Sequence, residues 1–433
     1  MSNYLLKNAT LLTFYPAAIE QADLRIVDGK ILAKAAHLAA EAEEITLDLA
    51  GKLVMPGMVC AHTHLYSALA RGMPGPPEPP TSFPEILAKI WWRLDRALDA
   101  EAIYDSAVVG VLEAIASGTT TIIDHHASPG CIQGSLKIMQ EVFEQFGVRG
   151  VLCYEVTDRG GKQERDWGLA ENRWLLEHQS ARVKGLVGAH ALFTLSDESL
   201  KLCAELVQTY HSGLHIHLAE DLGDVTAAFK KYDKGLVEKL LEAAVCNDKT
   251  ILAHGVYLLD EELDQIRQLG SWLVHNPRSN MNNGVGYAPL AKFGAKTALG
   301  TDGITSNMFE EVKFAYFKAQ DAGINVTAND CLRFLHGGQQ LAAALFGVPL
   351  GVLETGAAAD LIILDYPSPT PLHAGNLAGH VIFGMSHAHI ESVMVAGKFL
   401  LQDRQFVGVD VAALYQKAQR TAKKLWARME SGS

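Results

Sequence analysis

The apolar residues of this 433-residue chain are grouped in two different ways. Over about the first fifty residues, short apolar runs alternate with turns, and Asp28-Gly29 between two such runs predicts a β-hairpin. After Leu53 the runs become nearly continuous and are separated by amphipathic stretches such as Glu198–Tyr210. Continuous apolar runs are typical of parallel strands that are covered on both faces. The middle of the chain is therefore predicted to alternate strands with helices.

Eight strand-like runs of this kind lie between Val54 and Leu299. They are Val54–Cys60, Thr119–Ile123, Gly150–Tyr154, Val183–Val187, Leu214–Ile216, Thr250–Leu252, Ser271–Val274 and Lys296–Leu299. Eight parallel strands, each followed by a helix, close into a barrel with the helices outside. We therefore predict an α/β fold with a (β/α)8 TIM-like barrel over residues 56–355.

The two ends of the chain share a different pattern. From about Gly356 the predicted elements are short strands again, and Val411–Met429 is predicted to be helical. Neither end has enough apolar surface to fold alone. We predict one small β-sandwich domain built from residues 1–55 and 356–433, the second part including the C-terminal helix. The short strands predicted after the barrel are Ala359–Leu364, Val381–Gly384, Ile390–Val395 and Gly397–Leu401.

Composition and charge exclude several classes of protein. The chain is 48% hydrophobic and 20% charged, and it has neither a run apolar enough for a membrane helix nor a recognisable signal peptide. Its net charge of −12 argues against a nucleic-acid partner. Six cysteines without paired spacing predict reduced thiols. We expect a cytoplasmic protein that binds neither nucleic acid nor membrane.

Ionisable residues follow the C-terminal end of every predicted barrel strand. They are His62, His64, His125, His126, Glu155, His190, His217, Glu220, His254, His275 and Asp302. In a βα barrel this is the end of the strands where active sites are built. The regular placement therefore predicts an active site at this face.

Four of these side chains are predicted to hold one divalent ion: His62, His64, His217 and Asp302. Residues two apart on a strand point the same way, so His62 and His64 can reach one ion. In a closed barrel the first and eighth strands are neighbours and the fifth projects across the mouth, so the four side chains can converge. Imidazole and carboxylate ligands describe a hydrolytic site for zinc, and they also accept iron or manganese.

Six segments in this order match a known pattern: Met55–His64, His215–Glu220, Ala253–Gly255, His275–Met281, Leu299–Gly303 and Gly356–Ile362. With them the chain resembles the amidohydrolase superfamily, in its branch of cytosine-, guanine- and adenosylhomocysteine-deaminase-like aminohydrolases. Three further segments are similar to the SsnA-type aminohydrolase subgroup: Trp91–Asp95, Ile123–Pro129 and Asp302–Lys313.

The resemblance implies a hydrolytic deaminase of an amino-substituted purine-, pterin- or pyrimidine-like heterocycle. It implies one divalent ion, zinc before iron or manganese, that activates water. Asp302 would take a proton from that water, Glu220 would pass a proton to a ring nitrogen, and His254 would stabilise the developing charge. His190 stands where two-metal relatives place a carboxylated lysine, which argues for one ion. His190 and Glu220 are accordingly the predicted substrate contacts, and the resemblance alone implies a homodimer.

Other interpretations stay open. The same scaffold also hydrolyses cyclic amides or displaces other leaving groups, and a non-catalytic binding or assembly protein is a third possibility. Glu220 could instead complement a helix N-terminus, and His254 could be a buried core histidine. Three more strand-end residues could be either pocket wall or hydrogen-bonded support: His125, His126 and Glu155.

Three features outside the strand ends also have two interpretations each. Trp91 and Trp92 could stack on a flat heterocycle, although packing of their helix against the barrel is favoured. The proline-rich stretch Pro74–Pro84 is either a surface excursion or a lid over the barrel mouth. His275 and the Asn280–Asn283 run could shape a loop, since asparagine tolerates tight turns.

Overall fold

The computed structural model describes residues 2–431, which form three sheets and the helices around them. The strands are β1 (Asn3–Thr13), β2 (Ala18–Val27), β3 (Lys30–Ala35), β4 (Glu44–Asp48), β5 (Leu53–Pro56), β6 (Met58–Thr63), β7 (Thr119–His126), β8 (Arg149–Tyr154), β9 (Val183–Gly185), β10 (Val187–Ala191), β11 (Leu214–Leu218), β12 (Ile251–His254), β13 (Trp272–His275), β14 (Thr297–Leu299), β15 (Leu361–Leu364), β16 (Ile390–Val395), β17 (Lys398–Gln402) and β18 (Gln405–Phe406).

The helices are α1 (Phe83–Ile86), α2 (Trp92–Ala97), α3 (Ala100–Ala116), α4 (Ser135–Phe146), α5 (Gly161–Glu177), α6 (Asp197–Thr209), α7 (Leu222–Tyr232), α8 (Leu236–Glu242), α9 (Asp260–Leu269), α10 (Pro277–Asn282), α11 (Met308–Asp321), α12 (Ala328–Phe346), α13 (Leu377–Phe383) and α14 (Val411–Ser431). Side chains fix several helix ends, which satisfies backbone N–H groups that have no partner inside the helix. Asp99 accepts from the backbone N of Ala102 at the start of α3, and Thr327 does the same for Asp330 at the start of α12.

The strands in the middle of the chain are parallel. One sheet has the order β6-β7-β8-β9 and the other has the order β10-β11-β12-β13-β14. Every residue of β6, β7 and β8 is buried, as the continuous apolar runs predict for strands covered on both faces. Alternate residues belong to two separate hydrophobic clusters: Ile122 packs with the helices, whereas Ile123 packs with other strands and with α12.

Backbone contacts connect the two parallel sheets at both junctions. Thr63 forms a parallel bridge with Asp302, and Val156 forms one with Ala189. The backbone N of Thr301 donates to the carbonyl oxygen of His62 at 2.8 Å. The carboxyl end of β6 therefore lies beside the carboxyl end of β14, although these strands are far apart in sequence.

The third sheet joins the two ends of the chain. It has nine strands in the order β18-β17-β16-β15-β5-β1-β2-β3, with β4 paired to β1. A buried ion pair ties this sheet to the parallel strands, because Arg149 Nε donates to Asp360 Oδ2 at 2.6 Å. Among residues 2–431, no helix combines the length and the apolar composition that crossing a bilayer requires.

Three predicted elements differ from the structure. One is the run Val183–Val187, which is divided between β9 in one parallel sheet and β10 in the other. The run Val54–Cys60 is not one strand: β5 pairs with β1 and β15 in the mixed sheet, and a separate strand begins at Met58. The break falls at Gly57, where a Cβ atom would lie only 2.1 Å from Thr120 Oγ1. The predicted strand Val381–Gly384 is also wrong, because its apolar residues belong to α13. A short buried run has the same composition in a helix as in a strand.

Candidate metal centre and active site

Four predicted ligands lie together at the carboxyl ends of the parallel strands. One nitrogen or oxygen atom from each of His62, His64, His217 and Asp302 lies within 4.8 Å of the others. Asp302 Oδ1 is 2.9 Å from His64 Nε2 and 3.5 Å from His62 Nε2. His64 Nε2 is also 3.1 Å from His217 Nε2. The structure thus brings three imidazoles and one carboxylate from three strand ends to a single point.

The second ring nitrogen of each histidine has its own partner, which orients the ring. His64 Nδ1 donates to the carbonyl oxygen of His125 at 2.6 Å, and His217 Nδ1 donates to that of His190 at 2.8 Å. A carbonyl oxygen only accepts, so the proton of each neutral ring is on Nδ1 and the lone pair is on Nε2. His62 Nδ1 lies 2.8 Å from Nε2 of the buried His215. All three rings therefore turn Nε2 towards Asp302.

These residues fit a divalent ion. His62 Nε2 is buried and has no hydrogen-bond partner among residues 2–431, although an orphaned buried nitrogen is costly. Burial lowers the pKa of His62 to about 3 despite the neighbouring Asp302, which keeps this ring in the neutral form that binds metals. At His64 burial is again the largest single effect and lowers the pKa, but the hydrogen bond and charge of Asp302, together with the other neighbours, outweigh it and the pKa rises to about 9. The carboxylate of Asp302 thus favours a positive charge beside it. Three imidazoles with one carboxylate are a donor set that suits zinc.

Glu220 and His254 lie next to this cluster. Glu220 Oε2 is 3.5 Å from His254 Nε2, and the two residues form a second group with Asp302 whose ligand-type atoms lie within 4.8 Å of one another. His254 Nδ1 is 2.8 Å from Oδ1 of Asn280, so its Nε2 faces Glu220. Burial, followed by the charge of Asp302, raises the pKa of Glu220 well above its usual range. The surroundings of Glu220 therefore favour its protonated form.

The backbone is strained at two of these positions. His254 has φ of 78° and Asp302 has φ of 52°, both in the left-handed region that residues other than glycine rarely adopt. Such strain persists only where the surrounding structure enforces it, and it concentrates at active sites. The two left-handed residues turn their side chains towards the same cluster as soon as their strands end.

Comparison with known proteins agrees with this geometry. A model described as "Amidohydrolase family" matches residues 53–400. The chain belongs to the amidohydrolase family. It is 31% identical to a 5'-deoxyadenosine deaminase of Methanosarcina mazei over 100% of both chains. It is also 31% identical to a 5-methylthioadenosine/S-adenosylhomocysteine deaminase of Thermococcus sibiricus, over 92% of this chain and 93% of the other.

A solved structure has the same fold as this amidohydrolase. The zinc-bound adenosine deaminase from Xanthomonas campestris superposes with a TM-score of 0.87 and 24% identity, covering 98% of each chain. The family prediction is thereby confirmed, and the buried His/Asp cluster together with this zinc-bound neighbour supports a divalent metal ion. The similarity to the SsnA-type subgroup stays a prediction.

A cavity of about 170 Å³ opens onto the cluster of this amidohydrolase. Of the predicted substrate contacts, both His190 and Glu220 line it, and so does Glu155. His125 and His126 are not among the described residues that line the cavity. His125 Nε2 instead donates to backbone carbonyls of β10 and β11 at 3.1 Å, and His126 Nε2 lies 3.0 Å from Ser128 Oγ. Their positions are those of hydrogen-bonded support.

The segment before α3 forms much of the cavity wall. Trp91 and Trp92 both line the cavity, whereas the sequence favoured packing of their helix against the barrel. Phe83 lines the cavity as well. Of the proline-rich stretch Pro74–Pro84, only Phe83 lines the cavity in the part of the chain that the structure describes. Its predicted role as a lid therefore stays a prediction.

Sequence reasoning missed several residues at the site. Asn280 was grouped with turn-forming residues, but its Oδ1 lies 2.8 Å from His254 Nδ1. Ser279 was quoted only inside a motif, but its Oγ donates to Asp302 Oδ2 at 2.5 Å. Asp95 and Asp224 line the cavity and were not singled out, although Asp95 lies inside the motif Trp91–Asp95. His215 was quoted only as part of a motif. Its position two residues before His217 on one strand is the signal that both rings share a face.

Proposed function

We propose that this amidohydrolase is a hydrolytic deaminase, which replaces the amino group of a purine-like heterocycle with an oxygen from water. The observation that carries the proposal is the buried carboxyl of Glu220, which lies beside His254 and Asp302 at the mouth of a histidine-rich cluster. The relatives at 31% identity are themselves named deaminases of adenine nucleosides.

We assign His62, His64, His217 and Asp302 to one divalent ion, zinc before iron or manganese. Such an ion lowers the pKa of a bound water from about 15.7 to about 7. The hydrogen bonds to Nδ1 of His64 and His217 hold both rings in the tautomer that leaves Nε2 free. Ser279 holds Asp302 in place through Oδ2, so that Oδ1 stays directed at the imidazoles.

Two carboxyl groups transfer the protons of the reaction, and one imidazole forms a hydrogen bond at the reacting carbon. Asp302 accepts a proton from the attacking water, and Glu220 donates one to the ring nitrogen next to the carbon that is attacked. His254 Nδ1 donates to Asn280 Oδ1, so Nε2 of the neutral ring accepts a hydrogen bond from the water that attacks this carbon. The C–O bond forms, the C–N bond breaks, the amino group leaves as ammonia with the proton that Asp302 received, and the proton of the added hydroxyl returns to Glu220. His190 and Glu220 contact the heterocycle from the cavity wall.

The metal-loaded protein tests this proposal directly. Incubation with a panel of amino-substituted purines, pterins and pyrimidines should release one ammonia per heterocycle consumed. In the product, C–OH should replace the C–NH2 of the substrate. One nitrogen and two hydrogens are then lost, and one oxygen and one hydrogen are gained. Ring opening of cyclic amides without ammonia would contradict deamination, as would release of another leaving group in preference to the amine.

We also propose the finer organisation of the fold. The two parallel sheets are taken as one closed (β/α)8 barrel over residues 56–355, in which β9 and β10 together supply the fourth strand. The bridges between Thr63 and Asp302 and between Val156 and Ala189 support this closure. Residues 1–55 and 356–433 are taken as the β-sandwich domain. A homodimer rests on family resemblance alone, and a cytoplasmic location is supported by six free cysteines.

A further inference from the structure

Two groups of metal-ligating side chains overlap at the strand ends. The first group is the ligand set assigned above. In the second group, the ligand-type atoms of four residues lie within 4.8 Å of one another, namely His64, His125, Glu155 and His217. His64 and His217 belong to both groups, so the second group adds only His125 and Glu155. Both added residues are buried, with exposed fractions of 0% and 4%, and neither takes part in the proposed reaction.

The ring of His125 presents a lone pair to the second group. Its Nε2 donates to the carbonyl oxygens of Ala189 and His215, each at 3.1 Å. A carbonyl oxygen only accepts, so the proton of the neutral ring is on Nε2 and the lone pair is on Nδ1. Nδ1 is buried and has no hydrogen-bond partner within residues 2–431. A buried nitrogen of this kind is costly unless a proton or a cation meets its lone pair.

The carboxylate of Glu155 lies next to this lone pair. Glu155 Oε2 is 3.4 Å from His125 Nδ1, but the two atoms do not form a hydrogen bond. Two ligand atoms that each lie about 2.1 Å from one tetrahedral ion are about 3.4 Å from each other. The separation of the two atoms therefore suits a shared cation. In the first group, Asp302 Oδ1 has similar separations of 2.9 Å from His64 Nε2 and 3.5 Å from His62 Nε2.

The two carboxylates differ in the charge beside them. Glu155 Oε1 lies 3.4 Å from Nη2 of Arg159, which is a permanent cation. The ion-pair partners of Asp302 in the described part of the chain are only the imidazoles of His62 and His64. A neighbouring positive charge weakens the attraction of a carboxylate for a metal ion. We therefore expect the position at Asp302 to bind an ion more tightly than the position at Glu155.

We propose that His125 and Glu155 complete a second position for the divalent ion, together with the two imidazoles that both groups share. One lone pair binds one ion, so the shared Nε2 atoms of His64 and His217 allow one ion per chain, at one position or the other. Three imidazoles and one carboxylate are again a donor set that suits zinc or cobalt. The second position takes the ion when the position at Asp302 is impaired. The inference rests on the proposed function only in taking His64 and His217 as ligands.

Zinc affinity in a cycle of variants tests the second position without turnover. The dissociation constant is measured on metal-free protein by competition with a chromophoric chelator. Glu155→Gln should change it by less than about threefold in wild type, where the ion lies at Asp302. In Asp302→Asn, the same substitution should raise it by a further factor of about ten or more, because the ion then depends on Glu155. Glu205→Gln, at an exposed position on α6, should leave the dissociation constant unchanged in both backgrounds.

Anomalous scattering from crystals grown with excess zinc locates the ion. Wild type should show one ion, beside Asp302 and His62. In Asp302→Asn the ion should lie beside Glu155 Oε2 and His125 Nδ1 instead. His62→Gln replaces Asp302→Asn in both experiments if that variant does not fold, because His62 belongs only to the first group.

The second position is overturned if the ion in the folded variant stays beside the remaining ligands of the first group, or if the variant binds no ion in excess zinc. It is equally overturned if Glu155→Gln weakens zinc binding by the same factor in both backgrounds, since a merely structural role would do so. Ammonia release by zinc-loaded wild type tests the proposed function separately. An ion beside Glu155 in the variant, without ammonia release by wild type, would remove the deaminase and keep the second position. Ammonia release without such an ion would do the reverse.

Discussion

At the scale of single residues, the site depends on which nitrogen of each histidine is free. Backbone carbonyls accept from Nδ1 of His64 and of His217, so geometry fixes these two tautomers before any ion binds. A preset tautomer removes part of the cost of ordering the ligands, and it raises the basicity of the imidazole. The cluster is consequently organised by backbone as much as by side chains.

Replacing Asp302 should weaken metal binding strongly. In Asp302→Asn the carboxylate between His62 and His64 is gone, and we expect metal affinity to fall by on the order of 10²-fold or more. Metal content after gel filtration, measured by mass spectrometry, checks this. Ser279→Ala removes only the bond to Oδ2, and it should weaken metal binding by about tenfold. Equal metal content in wild type and Asp302→Asn would contradict the ligand assignment.

Glu220→Gln should separate catalysis from metal binding. The amide keeps the size of the side chain but cannot hand a proton to the ring nitrogen, so kcat should fall by about 10³-fold. The metal content should stay at the wild-type value, because Glu220 is not among the four assigned ligands. Glu205→Gln, at an exposed position on α6, provides the matched control. Turnover within threefold of wild type in Glu220→Gln would rule out this role.

At the scale of elements, the short helix α10 serves both halves of the site. Ser279 reaches Asp302, and Asn280, one residue later, reaches His254. Arg278 anchors the helix, because its backbone N donates to Oε1 of the buried Glu311 on α11 at 3.1 Å. One anchored turn thus positions a proposed ligand and a proposed catalytic histidine together.

Asn280→Ala should impair catalysis while metal binding stays intact. His254 loses its partner at Nδ1, and we expect kcat to fall by about tenfold with little change in KM. Asn280→Asp keeps an acceptor at this position and should restore most of the activity, which a merely structural role would not require. Met281→Ala, on the exposed side of the same helix, serves as control. A large rise in KM with constant kcat would argue against a positioning role.

The same scale shows what the sequence could predict. His62, His64 and Asp302 were predictable, because each follows a strand whose apolar run is evident and strand ends share one face in a parallel arrangement. Asp95, Asp224 and Asn280 were not, since they reach the site only through the way their helices dock. The error at Val381 has a related cause: packing against neighbouring helices decided between helix and strand, and the local sequence did not.

At the scale of the whole molecule, Asp224 should make stability depend on pH. Burial raises its pKa to about 7, with Asp221 as a further acidic neighbour, so the folded protein holds a proton that the unfolded chain loses near pH 4. This contribution to stability is fully present below pH 4 and is lost as pH rises to about 7. Asp224→Asn should therefore gain stability relative to wild type over this range, measured by urea unfolding of the metal-free protein. Asp233→Asn should follow the wild-type curve, and parallel curves for Asp224→Asn would refute the assignment.

Metal removal should destabilise the whole protein, because the proposed ligands join strands that are distant in sequence. His62 lies near the end of β6, His217 belongs to β11 and Asp302 follows β14, so one ion holds three strand ends at the same point. An ion that binds only the folded state, free at about a thousand times its dissociation constant, adds about 4 kcal/mol to the free energy of unfolding. Dialysis against a chelator should lower Tm by several degrees, and stoichiometric zinc should restore it. Asp302→Asn should show the low Tm with or without zinc, since it lacks the carboxylate that the ion requires. If zinc raises the Tm of that variant as much as it raises that of wild type, the stabilising ion binds elsewhere on the chain.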